Sequence, residues 1–435
     1  MLEKFREHME ANFPHLLQEP FLLACSGGVD SMVLLDLCAR LDLDFAVAHC
    51  NFQLRGEESN ADEKLVADVV SKQGRLFLVT HFDTKEYVSK NKLSLQVGAR
   101  RLRYGWFDAL MEEKGISTLV TAHHADDSLE TFLINLSRGT GIDGLTGIPE
   151  KTEKVSRPLL RFSRQDILKY ATETGLQWRE DASNADTKYL RNKIRHEIVP
   201  LLKELNPAFL ENFKSTQKYL SQTADIVNKR VIYLKRRLFI LKEGVTRISV
   251  PELLALDPLE GYLHAMFKAY GFNETKDLLQ LLHSTSGKEL CSNTHRLVRD
   301  RGHLLLAPID PVDPGEYRID ENQSKVSQPV SMTIEEVEKI GETGPHILYV
   351  DKETLKYPLT VRKWRKGDYF YPFGMQGRKK LSKYFKDEKI DILTKEKQWL
   401  LCSAEQLVWV IGRRPDDRFK VGEKTRGIVK ITLNK

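Results

Sequence analysis

The stretch Phe21–Ser31, FLLACSGGVDS, constrains the fold of this chain more than any other. Its apolar start runs directly into a serine and two glycines, and the apolar spacing after Asp30 becomes helical. This order predicts a buried strand, a tight glycine turn and the start of a helix. Because the first N–H groups of a helix lack partners and carry partial positive charge, the turn suits an anion such as phosphate. The expected phosphate-binding residues are Ser26, Gly27, Gly28, Val29, Asp30 and Ser31.

The residues around the two glycines decide between classes of phosphate chemistry. A Walker-type loop carries two glycines separated by four residues, followed by Lys and then Ser or Thr. No Lys follows the glycines here, and the nearest similar pattern, Ser286–Lys288, has Leu282 in place of the first glycine. A Walker-type kinase or NTPase is therefore set aside. A glycine turn that merely links a strand to a helix is the structural alternative.

Length and composition bound the class of protein. A chain of 435 residues is too long for one small core, so we expect two or three domains. No run of about 18 apolar residues is present for a membrane span, and the charged segment Met1–Pro20 is unlike a signal peptide. We expect a cytoplasmic protein without a membrane partner. The five cysteines form no CxxC pair, which indicates neither a disulfide framework nor a zinc or iron–sulfur site.

Strand and helix patterns alternate through the first two hundred residues. Such alternation predicts an α/β fold, a doubly wound parallel sheet joined by right-handed crossovers with helices on both sides. In this architecture ligands bind beyond the carboxyl ends of the strands. The predicted strands are Phe21–Cys25, Phe45–Cys50, Leu76–Thr80 and Leu119–Ala122.

Polar residues follow two of these strands. The second strand ends at His49 and Asn51, beside the glycine turn, where we expect the base of a nucleotide. For His49 alone, a hydrogen-bonded core histidine is the more common alternative. After the fourth strand, Asp127 and Glu130 stand three residues apart and so share one face of a helix. Two acids near a phosphate loop can hold Mg²⁺ or receive a cationic amine. The alternative is that the two acids only stabilise the positive end of the helix dipole. A zinc site is not favoured, because the neighbouring histidines lack the HExxH spacing.

Positive charge is concentrated in two regions of the chain. The net charge of +6 is modest, but basic residues cluster within 229–237 and again within 362–383, where aromatic residues stand between them. Basic groups with interleaved aromatics suit a phosphodiester backbone and unpaired bases. For any single residue, a solvated charge over an aromatic core is an equal alternative.

The alternation of strands and helices stops near Asn206–Pro207 and divides the chain. We predict a catalytic domain over 1–205, a mainly helical module over 206–307 and a linker region over 308–345, where PIDPVDPG interrupts regular structure. Alternating apolar runs predict a small β-rich domain with one helix over 346–435.

Several motifs, taken together, resemble a known family in pattern and in order. They are SGGVDS, ARRLRY, AHHADDSLET, RGTGIDGL and EDASNADTKYLRNKIRHEIVPLL, and the resemblance resumes after Trp364. The glycine loop alone resembles the PP-loop superfamily of ATP pyrophosphatases, and the combination resembles the tRNA(Ile)-lysidine synthetases. Relatives commonly have a second histidine and a glycine where this chain has Phe52 and Gln53, so no role is transferred to those positions.

The resemblance implies a two-step reaction that uses ATP and Mg²⁺. The carbonyl oxygen of the wobble cytidine in an isoleucine tRNA with a CAU anticodon attacks the α-phosphate, and free L-lysine then displaces AMP. The middle and carboxyl-terminal domains would bind the tRNA, and a homodimer is expected by analogy. The implied catalytic residues are Asp30, with Mg²⁺, and Arg103, Asp127, Glu130 and Arg195; the last four also contact substrate, and Arg378, Lys379 and Lys380 contact tRNA.

Three rival functions follow from the same residues. A tRNA thiolation enzyme uses the same loop but generally recruits cysteine pairs or an iron–sulfur cluster. A glutamine-fed ligase would need a glutaminase segment, which is not evident. A tRNA-binding protein without catalysis would not need Asp30, Asp127 and Glu130.

Overall fold

Two units make up the computed structural model of the chain, Met1–Val227 and Asn228–Lys435. The structure describes residues 1–180, 190–242, 244–309 and 315–434. Two parts of the predicted pattern, residues 181–189 of the EDASNADTKYL motif and residues 310–314 of the linker, lie outside the described residues. Among the helices of the described ranges, none combines the length and apolar content that a membrane crossing requires.

A five-stranded parallel sheet forms the centre of the first unit. Its strand order is β3-β2-β1-β4-β5, so the strand that precedes the glycine turn lies in the middle. This confirms the doubly wound α/β fold. The edge strand β5 is only two residues long, too short to leave a periodic signal, and the sequence did not predict it. The strands are β1 (Phe21–Ala24), β2 (Phe45–Asn51), β3 (Phe77–His81), β4 (Leu119–Val120) and β5 (Val155–Ser156).

Helices cover the sheet of the first unit. The helices that the sequence predicts over Ser31–Arg40, Ser59–Gln73, Gln96–Lys114 and Ser128–Arg138 are present with small shifts at their ends. Apolar periodicity fixes the buried face of a helix better than its termini. A π-helical turn, Ile194–Ile198, lies between the ninth and tenth helices. The helices are α1 (Leu2–Asn12), α2 (Val29–Arg40), α3 (Glu57–Lys72), α4 (Thr84–Asn91), α5 (Leu95–Lys114), α6 (Ala125–Ser137), α7 (Ile142–Leu145), α8 (Arg164–Glu173), α9 (Leu190–Lys193), α10 (Val199–Leu205) and α11 (Phe209–Leu238).

The start of α3 differs from the pattern that the sequence favours. Ser59 and Asp62 have the spacing of an N-cap pair, but the helix begins at Glu57. The Asp62 carboxylate instead accepts from Arg55 Nη2 and Arg179 Nε, both at 2.7 Å. Two guanidinium groups therefore engage this acid, and charge-assisted hydrogen bonds of this kind are stronger than a neutral cap.

The second unit begins within α11, whose residues from Asn228 onward belong to it, and continues with an antiparallel sheet on which short helices pack. The strand order is β6-β7-β10-β9-β8, and β9 and β10 form a hairpin that turns at Arg301–Gly302. Apolar residues such as Leu263, Phe267 and Leu282 fill the space between the sheet and the helices. The elements are β6 (Phe239–Lys242), β7 (Val245–Ser249), α12 (Val250–Leu254), α13 (Leu259–Phe267), α14 (Thr275–His283), β8 (Glu289–Cys291), β9 (His295–Asp300) and β10 (His303–Pro308).

Two four-stranded sheets and a two-stranded ribbon form the carboxyl-terminal part. The sheet orders are β11-β15-β18-β19 and β12-β13-β20-β14. The strands are β11 (Tyr317–Ile319), β12 (Lys325–Val326), β13 (Met332–Val337), β14 (Ile347–Asp351), β15 (Leu359–Lys363), β16 (Tyr369–Phe370), β17 (Lys379–Lys380), β18 (Trp399–Ser403), β19 (Gln406–Val410) and β20 (Ile428–Leu433). The helices are α15 (Leu381–Asp387) and α16 (Ile392–Lys397).

The structure differs from the predicted linker over 308–345. The strands β11, β12 and β13 all lie in this range and pair within the two carboxyl-terminal sheets. Two of them are only two or three residues long, and polar and proline residues separate them, so their apolar periodicity is weak. Described residues from Tyr317 onward therefore belong to the carboxyl-terminal fold.

Helix α16 joins the carboxyl-terminal part to the sheet of β6–β10. Arg247 Nη2 donates to the buried Asp391 Oδ2 at 2.6 Å, and Arg296 Nη1 donates to Glu396 Oε2 at 2.8 Å. Leu393 completes a small apolar cluster with residues of β7, β9 and β10. The two modules of this unit are thus connected by both ion pairs and core contacts.

Candidate active site

The buried Ser31 side chain stabilises the glycine turn through hydrogen bonds. The Ser26 amide donates to Ser31 Oγ at 3.1 Å, and Ser31 Oγ donates to the Gly28 carbonyl at 2.9 Å. Ser31 is buried while Ser26 is exposed. Ser31 therefore stabilises the turn, and the exposed Ser26 and the first amides of α2 are the donors expected for an anion.

Gly27 has a backbone conformation that favours glycine. Its φ is +88°, in the left-handed region, and an added Cβ would lie 3.4 Å from the Asp62 carbonyl oxygen. Gly28 has a φ of −75°, which any residue adopts, and an added Cβ would meet only Ser26 Oγ at 3.6 Å. The two glycines of the motif therefore have different structural roles.

We expect the substitution Gly27→Ala to destabilise the ligand-free enzyme by about 1–2 kcal/mol, since an L-residue pays that much in the left-handed region. Denaturant unfolding measures the effect, and ATP affinity should fall with it because the turn must shift. Gly28→Ala is the matched control and should unfold close to the wild type. Equal unfolding midpoints for the two variants would contradict the assignment.

His49 and Asn51 brace the turn and helix α3. His49 Nδ1 lies 2.9 Å from the Cys25 carbonyl oxygen. Because a carbonyl oxygen can only accept a hydrogen bond, Nδ1 is the protonated nitrogen and donates to it. Asn51 Nδ2 donates to Glu63 Oε2 at 2.8 Å and to Asn60 Oδ1 at 3.2 Å. Both side chains are buried. Their contact with the base of a nucleotide stays a prediction.

Asp30 holds an unsatisfied acceptor beside the glycine turn. Its Oδ1 is inaccessible to solvent and has no hydrogen-bond partner among the described residues. The nearest basic side chains are Arg164, with Nη1 3.6 Å from Oδ2, and His124, with Nε2 3.7 Å from Oδ1. Burial raises the pKa of the Asp30 carboxyl, and the nearby positive charges oppose this shift only in part. A buried acceptor without a donor suits a cation.

Two acids and two arginines form a cluster at the start of α6. Arg195 donates to Glu130 Oε1 through Nε at 2.6 Å and to Asp127 Oδ1 through Nη2 at 2.9 Å. Arg191 Nε donates to Glu130 Oε2 at 2.8 Å. Glu130 is 1% exposed and both its oxygens are used, so it positions the guanidinium groups. This acid–arginine cluster consists of Asp127, Glu130, Arg191 and Arg195.

The charges of the acid–arginine cluster stabilise one another. Burial alone would raise the pKa of Asp127, but electrostatic interactions with His124, Arg191 and Arg195 lower it below the ordinary value. Burial alone would lower the pKa of Arg195, and its hydrogen bond to Glu130 raises it above the ordinary value. Asp127 and Arg195 are therefore both charged at neutral pH.

Both arginines of this cluster lie within residues 190–198. Arg191 lies on α9 and Arg195 lies in the π-helical turn, four residues later. Residues four apart on a helix share a face, and isolated π turns often mark functional sites. Sequence reasoning chose Arg195 as a site residue and did not choose Arg191, although a separation of four residues places the two arginines on one helix face and could have revealed the second.

His124 joins the glycine turn to the acid–arginine cluster. Its Nε2 lies 3.7 Å from Asp30 Oδ1 and 3.5 Å from Asp127 Oδ2, and its Nδ1 lies 3.8 Å from Asp126 Oδ2. The ring is 1% exposed, and neither nitrogen has a hydrogen-bond partner among the described residues. One imidazole therefore stands between the acceptor beside the phosphate turn and the acid of the cluster.

His123 is held neutral beside this site. Thr121 Oγ1 lies 2.9 Å from its Nδ1, and burial lowers the pKa of the imidazole to about 4. The charges of Arg157, Arg191 and Arg100 lower that pKa further, whereas Asp127 opposes them. The ring is thus uncharged in the folded protein at neutral pH.

Because the pKa of His123 is low in the folded protein, we expect the free energy of unfolding to fall as the pH is lowered. An unfolded histidine binds a proton near pH 6.5 and the folded one does so only near pH 4, so stability from the neutral ring is lost as pH falls through this window. The difference reaches roughly 3 kcal/mol at pH 4. We expect His123→Gln to lose less unfolding free energy than the wild type between pH 6.5 and 4. Parallel pH profiles would contradict this.

The other predicted substrate residues lie elsewhere. Arg103 is exposed on α5, with its Cζ 5.2 Å from the centre of the Phe52 ring, and makes no ion pair with the acid–arginine cluster in the described chain. Arg378 stacks over Tyr369 at 4.8 Å, and Lys379 Nζ pairs with Asp387 at 2.9 Å. The basic and aromatic residues predicted around β16 and β17 are therefore brought together.

Comparisons with known proteins identify the family. A PP-loop domain model matches residues 1–202, a TilS substrate binding domain model matches residues 241–309, and a TilS substrate C-terminal domain model matches residues 359–432. The tRNA(Ile)-lysidine synthase of Bacteroides thetaiotaomicron is 37% identical over 432 residues, which cover 97% of each chain. The chain belongs to the tRNA(Ile)-lysidine synthase family. The Parabacteroides distasonis member is 36% identical over 420 residues, 95% of each chain.

Membership of the tRNA(Ile)-lysidine synthase family confirms the resemblance seen in the motifs. The chain is an enzyme with a PP-loop domain that uses ATP. Among solved structures, the U34-tRNA thiolase NcsA from Methanococcus maripaludis with its 4Fe–4S cluster is 16% identical, covers 50% of this chain and 77% of its own, and has a TM-score of 0.43. A likeness at that level carries no functional inference.

The cysteines do not favour the thiolation alternative. Cys25, Cys38 and Cys402 are buried, and burial raises the pKa of each thiol, which keeps them protonated. Within residues 1–180, 190–242, 244–309 and 315–434, no group of three or more His, Cys, Asp or Glu side chains is arranged to hold a metal. These three thiols are therefore poor nucleophiles, and a cluster ligand set is not found in the part of the chain that the structure describes.

Proposed function

We propose that this enzyme ligates free L-lysine to C2 of the wobble cytidine of isoleucine tRNA with a CAU anticodon, converting ATP to AMP and pyrophosphate. The position of His124 Nε2 carries the proposal, because it lies within 3.7 Å of both Asp30 and Asp127. This nitrogen joins a phosphate-binding turn to acids that suit an amine. A phosphate site beside an amine site is what adenylation followed by aminolysis requires.

The first step needs a site for the leaving pyrophosphate. The amides at the start of α2 and the Ser26 hydroxyl would receive its oxygens. Mg²⁺ fits Asp30, since this ion commonly binds one or two carboxylates together with substrate phosphates, and Asp30 Oδ1 is a buried acceptor without a donor. When bound, the ion neutralises charge that develops on the phosphates.

The second step needs an amine and a good leaving group. Adenylation turns the cytidine carbonyl oxygen into part of AMP, which leaves when the ε-amine of lysine attacks C2. The Asp127 carboxylate keeps its charge and would attract the ammonium form, while Arg191 and Arg195 would stabilise negative charge on lysine carboxylate or phosphate. Glu130 holds these arginines in place. Positioning and charge stabilisation are thus the contributions of the protein.

The carboxyl-terminal basic surface would hold the tRNA. We define it by Arg378, Lys379 and Lys380, which lie on or beside β17 next to exposed Tyr369. Cations beside an exposed aromatic ring suit a phosphodiester strand. The carboxyl-terminal domain therefore would supply affinity for RNA that depends on salt.

Replacing Arg378, Lys379 and Lys380 together by alanine should weaken tRNA binding and flatten its salt dependence. Each phosphate contact contributes about 0.9 to the slope of log K against log salt. Binding at several salt concentrations measures both effects. A control pair, Lys352→Ala with Lys430→Ala, removes lysines that already pair with glutamates. A slope equal to that of the wild type would contradict the role of the three residues.

Incorporation of radiolabelled lysine into transcript tRNA tests the proposed function directly. We expect label in isoleucine tRNA with a CAU anticodon, with one AMP formed for each lysine attached. Release of ADP, or incorporation of sulfur in place of lysine, would overturn the proposal. We also propose a cytoplasmic homodimer, and light scattering of the purified enzyme tests the dimer.

A further inference from the structure

Arg157 lies at the ligand edge of the sheet, one strand beyond His123. Strand β5 runs parallel to β4, with Val120 paired to Ser156, so Arg157 follows β5 at the same edge where the active-site segment follows β4. The Thr121 amide donates to the Ser156 carbonyl at 3.1 Å and continues the pairing. The topology therefore places Arg157 beside the site rather than behind the sheet.

The guanidinium group of Arg157 is buried without an acid. The residue is 7% exposed, its Nη1 donates to the Pro149 carbonyl at 2.8 Å, and its Nε is buried with no partner. Its side chain forms no ion pair with any described carboxylate, unlike Arg195. A buried cation without an opposite charge is costly, so such a group commonly meets an anion supplied from elsewhere.

Two further arginines without acid partners lie on α5. Arg100 Cζ lies 4.6 Å from the centre of the Tyr104 ring, and the Tyr104 hydroxyl lies beside Arg157. Arg100 and Arg103 are exposed, stand three residues apart on one helix face and form no ion pair among the described residues. Burial lowers the pKa of Arg157, the charge of Arg100 lowers it further, and Tyr104 opposes both.

We propose that Arg157, Arg100 and Tyr104 form a phosphate-binding site for the RNA strand that carries the reacting cytidine. The inference rests on the proposed function and names a contact that positions its RNA substrate. Exposed Arg100 would contact the phosphate directly, and buried Arg157, which pairs with no described carboxylate, would add uncompensated positive charge behind it. Tyr104 holds the two groups together. Exposed cations along a helix suit a long polyanion better than a single carboxylate.

Binding of transcript tRNA at several salt concentrations, without turnover, tests this site. We expect Arg157→Gln and Arg100→Ala each to weaken binding about tenfold at low salt and to reduce the slope of log K against log salt by about 1. KM for lysine and for ATP should stay unchanged. Arg40→Gln is the matched control, because Arg40 already pairs with Asp36 at 2.8 Å. Arg157→Lys keeps the charge and should recover part of the affinity.

Each outcome decides the question. Wild-type affinity and slope in both variants would overturn the site, whether or not Arg157→Gln loses stability, since exposed Arg100 can be replaced without disturbing the core. A raised KM for lysine with unchanged tRNA binding would assign the group to lysine carboxylate and also overturn it. Because binding is measured without catalysis, failure of this site is distinct from failure of lysine incorporation by the wild type.

Discussion

Asp127→Asn should reduce lysidine formation by about 100-fold or more while leaving pyrophosphate exchange largely intact. The substitution removes a negative charge that would attract the lysine ammonium, and hydrogen bonds to charged groups contribute enough for an effect of this size. Exchange between ATP and pyrophosphate in the presence of tRNA and absence of lysine reports the first step alone. Lysine incorporation reports both steps.

Asp126→Asn is the matched control for that experiment. Asp126 is buried next to Asp127, pairs with Lys203 and accepts from the Arg164 amide at 2.8 Å, so it holds α6, α8 and α10 together. We expect this variant to lose stability and to affect both steps alike. If Asp127→Asn reduced exchange as strongly as lysine incorporation, its role toward the amine would be wrong.

Asp30→Asn should reduce pyrophosphate exchange by about 100-fold to 1,000-fold without destabilising the fold. The loss follows if Asp30 anchors Mg²⁺, since a metal ion contributes several kcal/mol of charge stabilisation on the phosphates. The fold should tolerate the change because burial raises the pKa of this carboxyl and so disfavours its charge. Thermal unfolding and exchange, measured on the same preparation, separate the two effects.

Asp36→Asn is expected to behave in the opposite way. Asp36 lies on the same helix as Asp30 and accepts from the Tyr170 hydroxyl at 2.7 Å and from Arg40 Nε at 2.8 Å. Its replacement should lower stability by about 1–2 kcal/mol and leave the exchange rate of the folded enzyme unchanged. An Asp30→Asn variant that kept wild-type exchange would remove Asp30 from the phosphate site.

The sequence predicted the parts of the fold that leave a periodic or local signal. The strand at Phe21, the glycine turn and the amphipathic helices after it follow from apolar spacing. The edge strand β5 and the short strands within 317–337 are stabilised mainly by pairing with distant strands, so no local pattern announces them. Sequence reasoning therefore set the catalytic sheet correctly and misplaced the start of the carboxyl-terminal fold.

Some residues of the candidate site could likewise be predicted from the sequence, and others could be recognised only in the folded structure. Local spacing predicted the shared face of Asp127 and Glu130, and the family motifs pointed to Arg195. The meeting of His124 with Asp30 joins two strand ends that are almost one hundred residues apart, and only the folded sheet brings them together. The buried, unpaired state of Arg157 is likewise a property of packing.

The contacts of α16 have a consequence for the RNA-binding half of the enzyme. Asp391 both caps that helix and pairs with Arg247, so its replacement would lose two sets of hydrogen bonds at once. Arg296, Glu396 and the apolar cluster beside them add further contacts at this junction, so we expect the two modules to move as a single block. If the two modules keep a fixed separation, a tRNA that contacts both must have a stem geometry that matches it. An RNA of different stem geometry would then lose its contact with one of the two modules.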